Sequence, residues 1–149
     1  MDDSRAARFD AAARALGYDF DGQIKIGGNY VPVVRHGNEI YISGQIPRVG
    51  DRVVVTGRAG AETSLAQAQL AAKVCVLRAL ALLRQAAGSL DRVHKVLRIS
   101  VFVQSAADFT QQSEVADGAS EILYAVLGEA GQHTRTSVGV YQLPKNATV

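Results

Sequence analysis

Few residues in this chain of 149 could do chemistry by type and spacing. The three histidines, His36, His94 and His133, are far apart and show no metal-ligand spacing. His133 stands two residues before Arg135, so a strand there would put both on one face. It is the histidine to weigh as a site neighbour. The one cysteine, Cys75, cannot form an intramolecular disulfide and fits a reducing, cytoplasmic setting. P-loop, dinucleotide-binding, HExxH and GxSxG motifs are all absent. Gly27-Gly28-Asn29 precedes a strand rather than a helix, so it is not a phosphate cradle. No metal and no cofactor are expected. The 16 basic and 14 acidic residues nearly balance and are scattered, which argues against nucleic acid as a partner. No apolar run reads as a membrane span, and the start Met1-Asp2-Asp3-Ser4-Arg5 lacks the features of a signal peptide.

The elements that must position any site follow from periodicity. Asp3–Leu16 reads as a helix, with Phe9, Ala12, Ala13 and Leu16 at helical spacing and Gly17 closing it. Tyr30–Arg35 and Glu39–Ile46 flank a Gly-Asn turn and read as a hairpin. Pro47 ends its second strand, and Val53–Val55 reads as a short edge strand. Thr63–Ala87 is the longest helix. One apolar face carries Leu70, Val74, Leu77 and Ala81, and the other is rich in alanine. The first is expected to pack on a sheet and the second closely on another helix. Cys75 lies on the alanine face and reads as core filler. Arg92–Gln104 reads as a long strand, Gln112–Leu127 as a second long helix, and His133–Leu143 as a final strand.

This order predicts one α+β domain over residues 1–149, a mixed sheet with two long helices on one face. Residues 1–16 form an N-terminal helical extension. The other sheet face would carry Tyr41, Ser43, Phe102, Arg135, Ser137 and Tyr141. That mixture suits a face covered by self-association, with polar clefts left between subunits.

Several segments resemble the Rid family of reactive-intermediate deaminases, also called YjgF-like or L-PSP endoribonucleases. Gly28-Asn29-Tyr30-Val31, Gly37-Asn38 and Tyr41-Ile42-Ser43-Gly44-Gln45-Ile46-Pro47 are similar to its early hairpin. Val101-Phe102-Val103 with Asp108-Phe109 is similar to its central strand and turn. His133-Thr134-Arg135-Thr136-Ser137-Val138-Gly139-Val140 with Leu143-Pro144 resembles its signature strand. The N-terminal helix and Gly118-Ala119-Ser120 resemble a less characterised branch.

The resemblance implies a chorismate-mutase-like fold and a homotrimer with three clefts between subunits. It implies hydrolysis of 2-imino acids to 2-keto acids and ammonia. The family's arginine falls on Arg135, its pocket tyrosine on Tyr30 and its pocket Ser-Gly on Ser43-Gly44. Arg135, Ser43 and Tyr30 are thus the expected catalytic set, with Gly44, Ser137, Phe102 and Asp117 joining Arg135 in binding the substrate. A guanidinium can take a carboxylate through two parallel hydrogen bonds. A protonated imine is already electrophilic, so orienting one water supplies much of the effect. The alternative is a non-catalytic protein that binds or senses a small carboxylate in the same clefts. Ribonuclease activity is disfavoured by the scattered basic charge and the lack of paired histidines.

Two departures bear on this expectation. Ser137 stands where the family usually has cysteine. The family's strand also continues to a water-orienting glutamate, which has no counterpart up to Val149. Asn146–Val149 reads as the beginning of a strand without a stop signal, so the full gene product is expected to be longer.

Overall fold

The computed structural model describes residues 2–149. Helix α1 spans Arg5–Leu16 and is capped by the Ser4 side chain, with Gly17 at its C-terminus. Its Phe9 and Ala13 are buried in the core shared with the other helices. Arg5 fastens its start, donating from Nη1 to the carbonyls of Leu90 and Val93, both at 2.7 Å.

Strands β1 (Val33–His36) and β2 (Glu39–Ile42) form an antiparallel hairpin. Its two-residue loop begins with Gly37 at φ 60°, the position where this tight turn calls for glycine. Both strands are shorter than expected. The chain leaves regular pairing after Ile42, although Ser43 N–H still donates to the Pro32 carbonyl at 2.9 Å. A small ribbon follows, β3 (Arg48–Val49) with β4 (Arg52–Val53).

Helix α2 (Leu65–Ala87) begins with a reciprocal cap between Ser64 and Gln67 and ends at Gly88. By length and apolar composition it could cross a membrane, so the expectation that no run approaches a span was too strict. Here 56% of that stretch is buried inside the fold, as a core helix would be.

Strand β5 (Arg98–Gln104), helix α3 (Gln112–Leu127) and strand β6 (Thr134–Val140) form a β-α-β unit with β5 and β6 parallel. Residues 93–96, expected to open β5, carry no strand pairing, and contact with β6 starts where the Leu97 carbonyl accepts from Thr134 N–H at 3.1 Å. The three two-stranded pieces are not joined into the single sheet that was expected. Isolated bridges knit the base instead: Ala59 with Ser105, and Thr56 with Ala147. Ala147, Thr148 and Val149 are buried there, and Thr148 C=O accepts from Gln104 N–H at 2.8 Å.

The two long helices lie against each other. A Cβ added to Gly118 of α3 would sit 2.6 Å from the Gln69 carbonyl oxygen of α2, so only glycine permits this approach. The alanine face of α2, with Ala68, Ala71 and Ala72, shares a core with Val115, Ala116 and Ala119 of α3 and with Val101 and Val103 of β5. The alanine face therefore meets both the other helix and the β5 strand.

Candidate functional site

Ser113, Asp117 and Ser120 recur at four- and three-residue intervals, which lines them up along one stripe of α3. Arg135 of β6 reaches that stripe. Its Nη1 donates to Asp117 Oδ1 at 2.9 Å and to Ser120 Oγ at 3.0 Å. Its Nη2 donates to Ser113 Oγ at 2.9 Å and to the Ser113 carbonyl at 3.2 Å. The arginine side chain is 21% exposed and the aspartate 56%.

The cluster extends to His133. Its Nδ1 lies 2.6 Å from the Gly131 carbonyl, which can only accept, so Nδ1 carries a proton. In the neutral ring Nε2 then accepts from the Ser120 hydroxyl, 2.9 Å away. Ser120 accepts from Arg135 at the same time, and Tyr124 stacks on the imidazole with ring centroids 5.5 Å apart. His133 is thus a neighbour of Arg135 through one hydroxyl. Ser113 and Ser120 were not singled out from sequence as site residues. Their signal is a polar stripe on a helix whose remaining inward positions are apolar.

The placement of Arg135 corrects one expectation. The register pairs Arg135 with Ile99 and Ser137 with Val101, so both side chains face the helices. The open face of this pair carries Phe102 and Val138 instead, which are register partners and 49% and 39% exposed. Phe102 is therefore on the opposite side of the strand pair from Arg135. Tyr41 does lie exposed, opposite Val34 on the hairpin. Tyr141 is exposed beyond the end of β6, with the Arg58 guanidinium 4.7 Å over its ring.

Tyr30 and Gly44 form a second group, at a recess of about 210 Å³. Ser43, beside them, donates from Oγ to the Val31 carbonyl at 2.9 Å, which fixes its rotamer. Lys25, Arg48, Arg78 and Lys145 also line the recess. Arg78 projects from α2 and is only 4% exposed. It donates to Gln45 Oε1 at 3.1 Å and to the carbonyls of Arg48 at 2.6 Å and Lys25 at 2.7 Å. Burial holds its guanidinium below the ordinary value, and the Arg48 charge adds to the effect. None of the hydrogen-bond partners of Arg135 lines this recess. Within one chain the expected site residues thus form two groups rather than one, and Phe102 stands apart from both. Cys75 belongs to neither: burial pushes its thiol up to about 12.

The matches to known proteins follow the same lines. The Trypanosoma cruzi protein TCP17 is 39% identical over 145 residues, covering 97% of this chain and 91% of its own. Among solved structures, Atu1372 of Agrobacterium tumefaciens, a protein of unknown function, superposes with TM-score 0.85 at 35% identity, covering 97% of this chain and 88% of that one. Escherichia coli TdcF with bound serine shares the fold at TM-score 0.59 and 24% identity, covering 83% of this chain and 84% of that one. Residues 11–149 match the family model described as "YjgF/chorismate mutase-like, putative endoribonuclease". By that match and by its relatives, this chain belongs to the YjgF/chorismate mutase-like family.

Proposed function

We propose that this protein hydrolyses reactive 2-imino acids to 2-keto acids and ammonia in clefts between the subunits of a homotrimer. The observation that carries the reading is the division of the site. Arg135 and Asp117 lie together at one place, while Tyr30 and Gly44 line the cationic recess, with Ser43 next to Gly44 in the chain. Val34, Tyr41, Phe102 and Val138 meanwhile leave apolar surface uncovered. Association through such surface can bring the Arg135 edge of one subunit to the recess of the next. Among the described residues strand β6 pairs only with β5, so its outer edge, beside Arg135, is free for that contact.

The chemistry asks little of the protein. The carboxylate of the imino acid pairs with the guanidinium, which fixes the plane of the C=N bond. Water adds to the imine carbon, the nitrogen takes up protons, and ammonia departs to leave the keto group. Ser43 Oγ retains lone pairs with which to accept a hydrogen bond from the imine nitrogen or the attacking water. That TdcF holds serine in the same fold supports a small amino-acid-like ligand.

The test is hydrolysis of freshly generated 2-iminobutyrate, followed as loss of the imine and gain of 2-oxobutyrate. Turnover well above the spontaneous rate is the expected result. Binding of 2-oxobutyrate without turnover would reduce the protein to a carboxylate sensor, and absence of both would reject the reading.

A further inference from the structure

We infer that the recess beside Tyr30 and Gly44 binds a short dicarboxylate, so that the protein prefers ligands with a second acid group. The inference rests on this recess being the ligand end of the proposed site, and not on turnover.

The charges make the case. Arg48, Arg78 and Lys145 converge on the recess, and none of them has a carboxylate partner among the described residues. Lys25 is already paired with Asp51. Arg78 is buried, and all three of its hydrogen bonds go to neutral acceptors. Two of the five guanidinium N–H groups therefore remain to be satisfied. Arg48 Nε is buried with no hydrogen-bond partner among the described residues. Guanidinium groups do not lose their proton in proteins, so neutralisation by deprotonation is not open to them. A bound anion offsets the mutual repulsion of these charges and accepts from the guanidinium N–H groups that face the recess.

The walls decide which anion. Ile26, Ile46, Pro144 and the Tyr30 ring give the recess an apolar lining between its charges. A volume of about 210 Å³ is generous for one phosphate or carboxylate group. It suits a short carbon chain carrying acid groups at both ends, with the chain against the apolar wall and an acid at the arginines.

Calorimetry on the full chain tests this with 2-oxoglutarate, 2-oxobutyrate and inorganic phosphate. We expect 2-oxoglutarate to bind at least about tenfold more tightly than the other two, because only it can engage the arginines through a second carboxylate. Arg48→Gln should weaken 2-oxoglutarate by about tenfold or more. Lys145→Gln, at an exposed position, should weaken it in the same direction and decides the matter if Arg48→Gln does not fold. Equal affinity for the keto acids, phosphate binding as tightly as the dicarboxylate, or variants with unchanged affinity would each overturn the inference. Hydrolysis of 2-iminobutyrate by the same wild-type sample reads the deaminase proposal separately. Turnover without a dicarboxylate preference sinks only this inference, and preference without turnover sinks only the deaminase.

Discussion

Arg135 and Asp117 are partners within one chain, with Nη1 and Oδ1 2.9 Å apart. The aspartate thus occupies part of the fork that a ligand carboxylate would use. The terminal N–H groups are all engaged within the chain, by Asp117, Ser120 and Ser113, so a ligand carboxylate must displace one or more of these partners. The pair is partly solvated, so its own contribution to stability is small, about 0–1 kcal/mol.

This geometry separates two substitutions. Arg135→Lys keeps the charge but loses the fork and can no longer span Ser113, Asp117 and Ser120 together. With a loss of roughly 2–5 kcal/mol, kcat/KM for 2-iminobutyrate should fall on the order of thirtyfold to several thousandfold. Asp117→Asn removes only the competing charge. It should leave the melting temperature nearly unchanged and tighten 2-oxobutyrate binding a few-fold. Near-normal turnover in Arg135→Lys would refute the role of the arginine. Weaker binding in Asp117→Asn would show instead that Asp117 is needed to hold the guanidinium in place.

The helices were legible because their signals repeat. Phe9 and Ala13, the capping Ser64 and the closing Gly17, Gly88 and Gly128 each stand where period and caps predict. The face of β6 was not legible, because Thr134 to Val140 has no clearly apolar side to set its phase. That phase depends on partners far along the chain: the polar stripe of α3, and Gly139, whose missing side chain admits Gln112. A Cβ on Gly139 would lie 3.0 Å from Gln112 Nε2. Alternation also overextended β5, since Val93 to Val96 alternates without a strand to pair with. The recess was hidden for the opposite reason. Lys25, Arg48, Arg78 and Lys145 look scattered in sequence and meet only in the fold.

Gly118 offers a direct test of the helix contact. A methyl group there would meet the Gln69 backbone carbonyl at 2.6 Å, and backbone cannot swing aside as a side chain can. Gln69 Nε2 also donates to the Glu114 carbonyl across the same contact, at 2.8 Å. Gly118→Ala should therefore destabilise by about 1–3 kcal/mol despite the better helix propensity of alanine. The check is thermal unfolding, where the midpoint should drop by several degrees. An unchanged or higher midpoint would mean that the helices can part at no cost.

Cys75 predicts a pH effect. Its thiol lies 3.6 Å from the Val149 carbonyl, and burial raises it from an ordinary 9.0 to about 12. The unfolded chain releases this proton near 9 while the folded chain retains it, so above that point the unfolded state binds fewer protons. Stability from this group is complete below pH 9 and is lost as pH rises through 12. Denaturant midpoints should fall over that window in the wild type and fall less in Cys75→Ala. At pH 8 a thiol reagent should label the partly buried Cys75 far more slowly in the native than in the unfolded protein. Rapid labelling of the native protein would place the sulfur at the surface.

Phe102→Asp tests the assembly. Phe102 and Val138 face each other across the β5–β6 register on the side the helices do not cover. The side chains at Val101 and Val103, one position to either side, point into the core instead and are buried. A charge at position 102, where the phenylalanine is half exposed, therefore disturbs far less packing within the subunit than the same change at the fully buried Val103. In a trimer that buries this face, each subunit would lose the burial of the exposed half of one phenylalanine, about 1–1.5 kcal/mol, and gain a desolvated carboxylate. Light scattering should show the wild type at three times the 15.8 kDa chain mass and Phe102→Asp at the monomer mass, with the helical circular dichroism unchanged. Turnover of 2-iminobutyrate should disappear with the trimer, because the variant leaves Arg135, Tyr30 and Ser43 intact and separates only the subunits that bring them together. A Phe102→Asp protein that remains trimeric would place the interface elsewhere. A monomeric variant with full turnover would show that one chain holds the whole site.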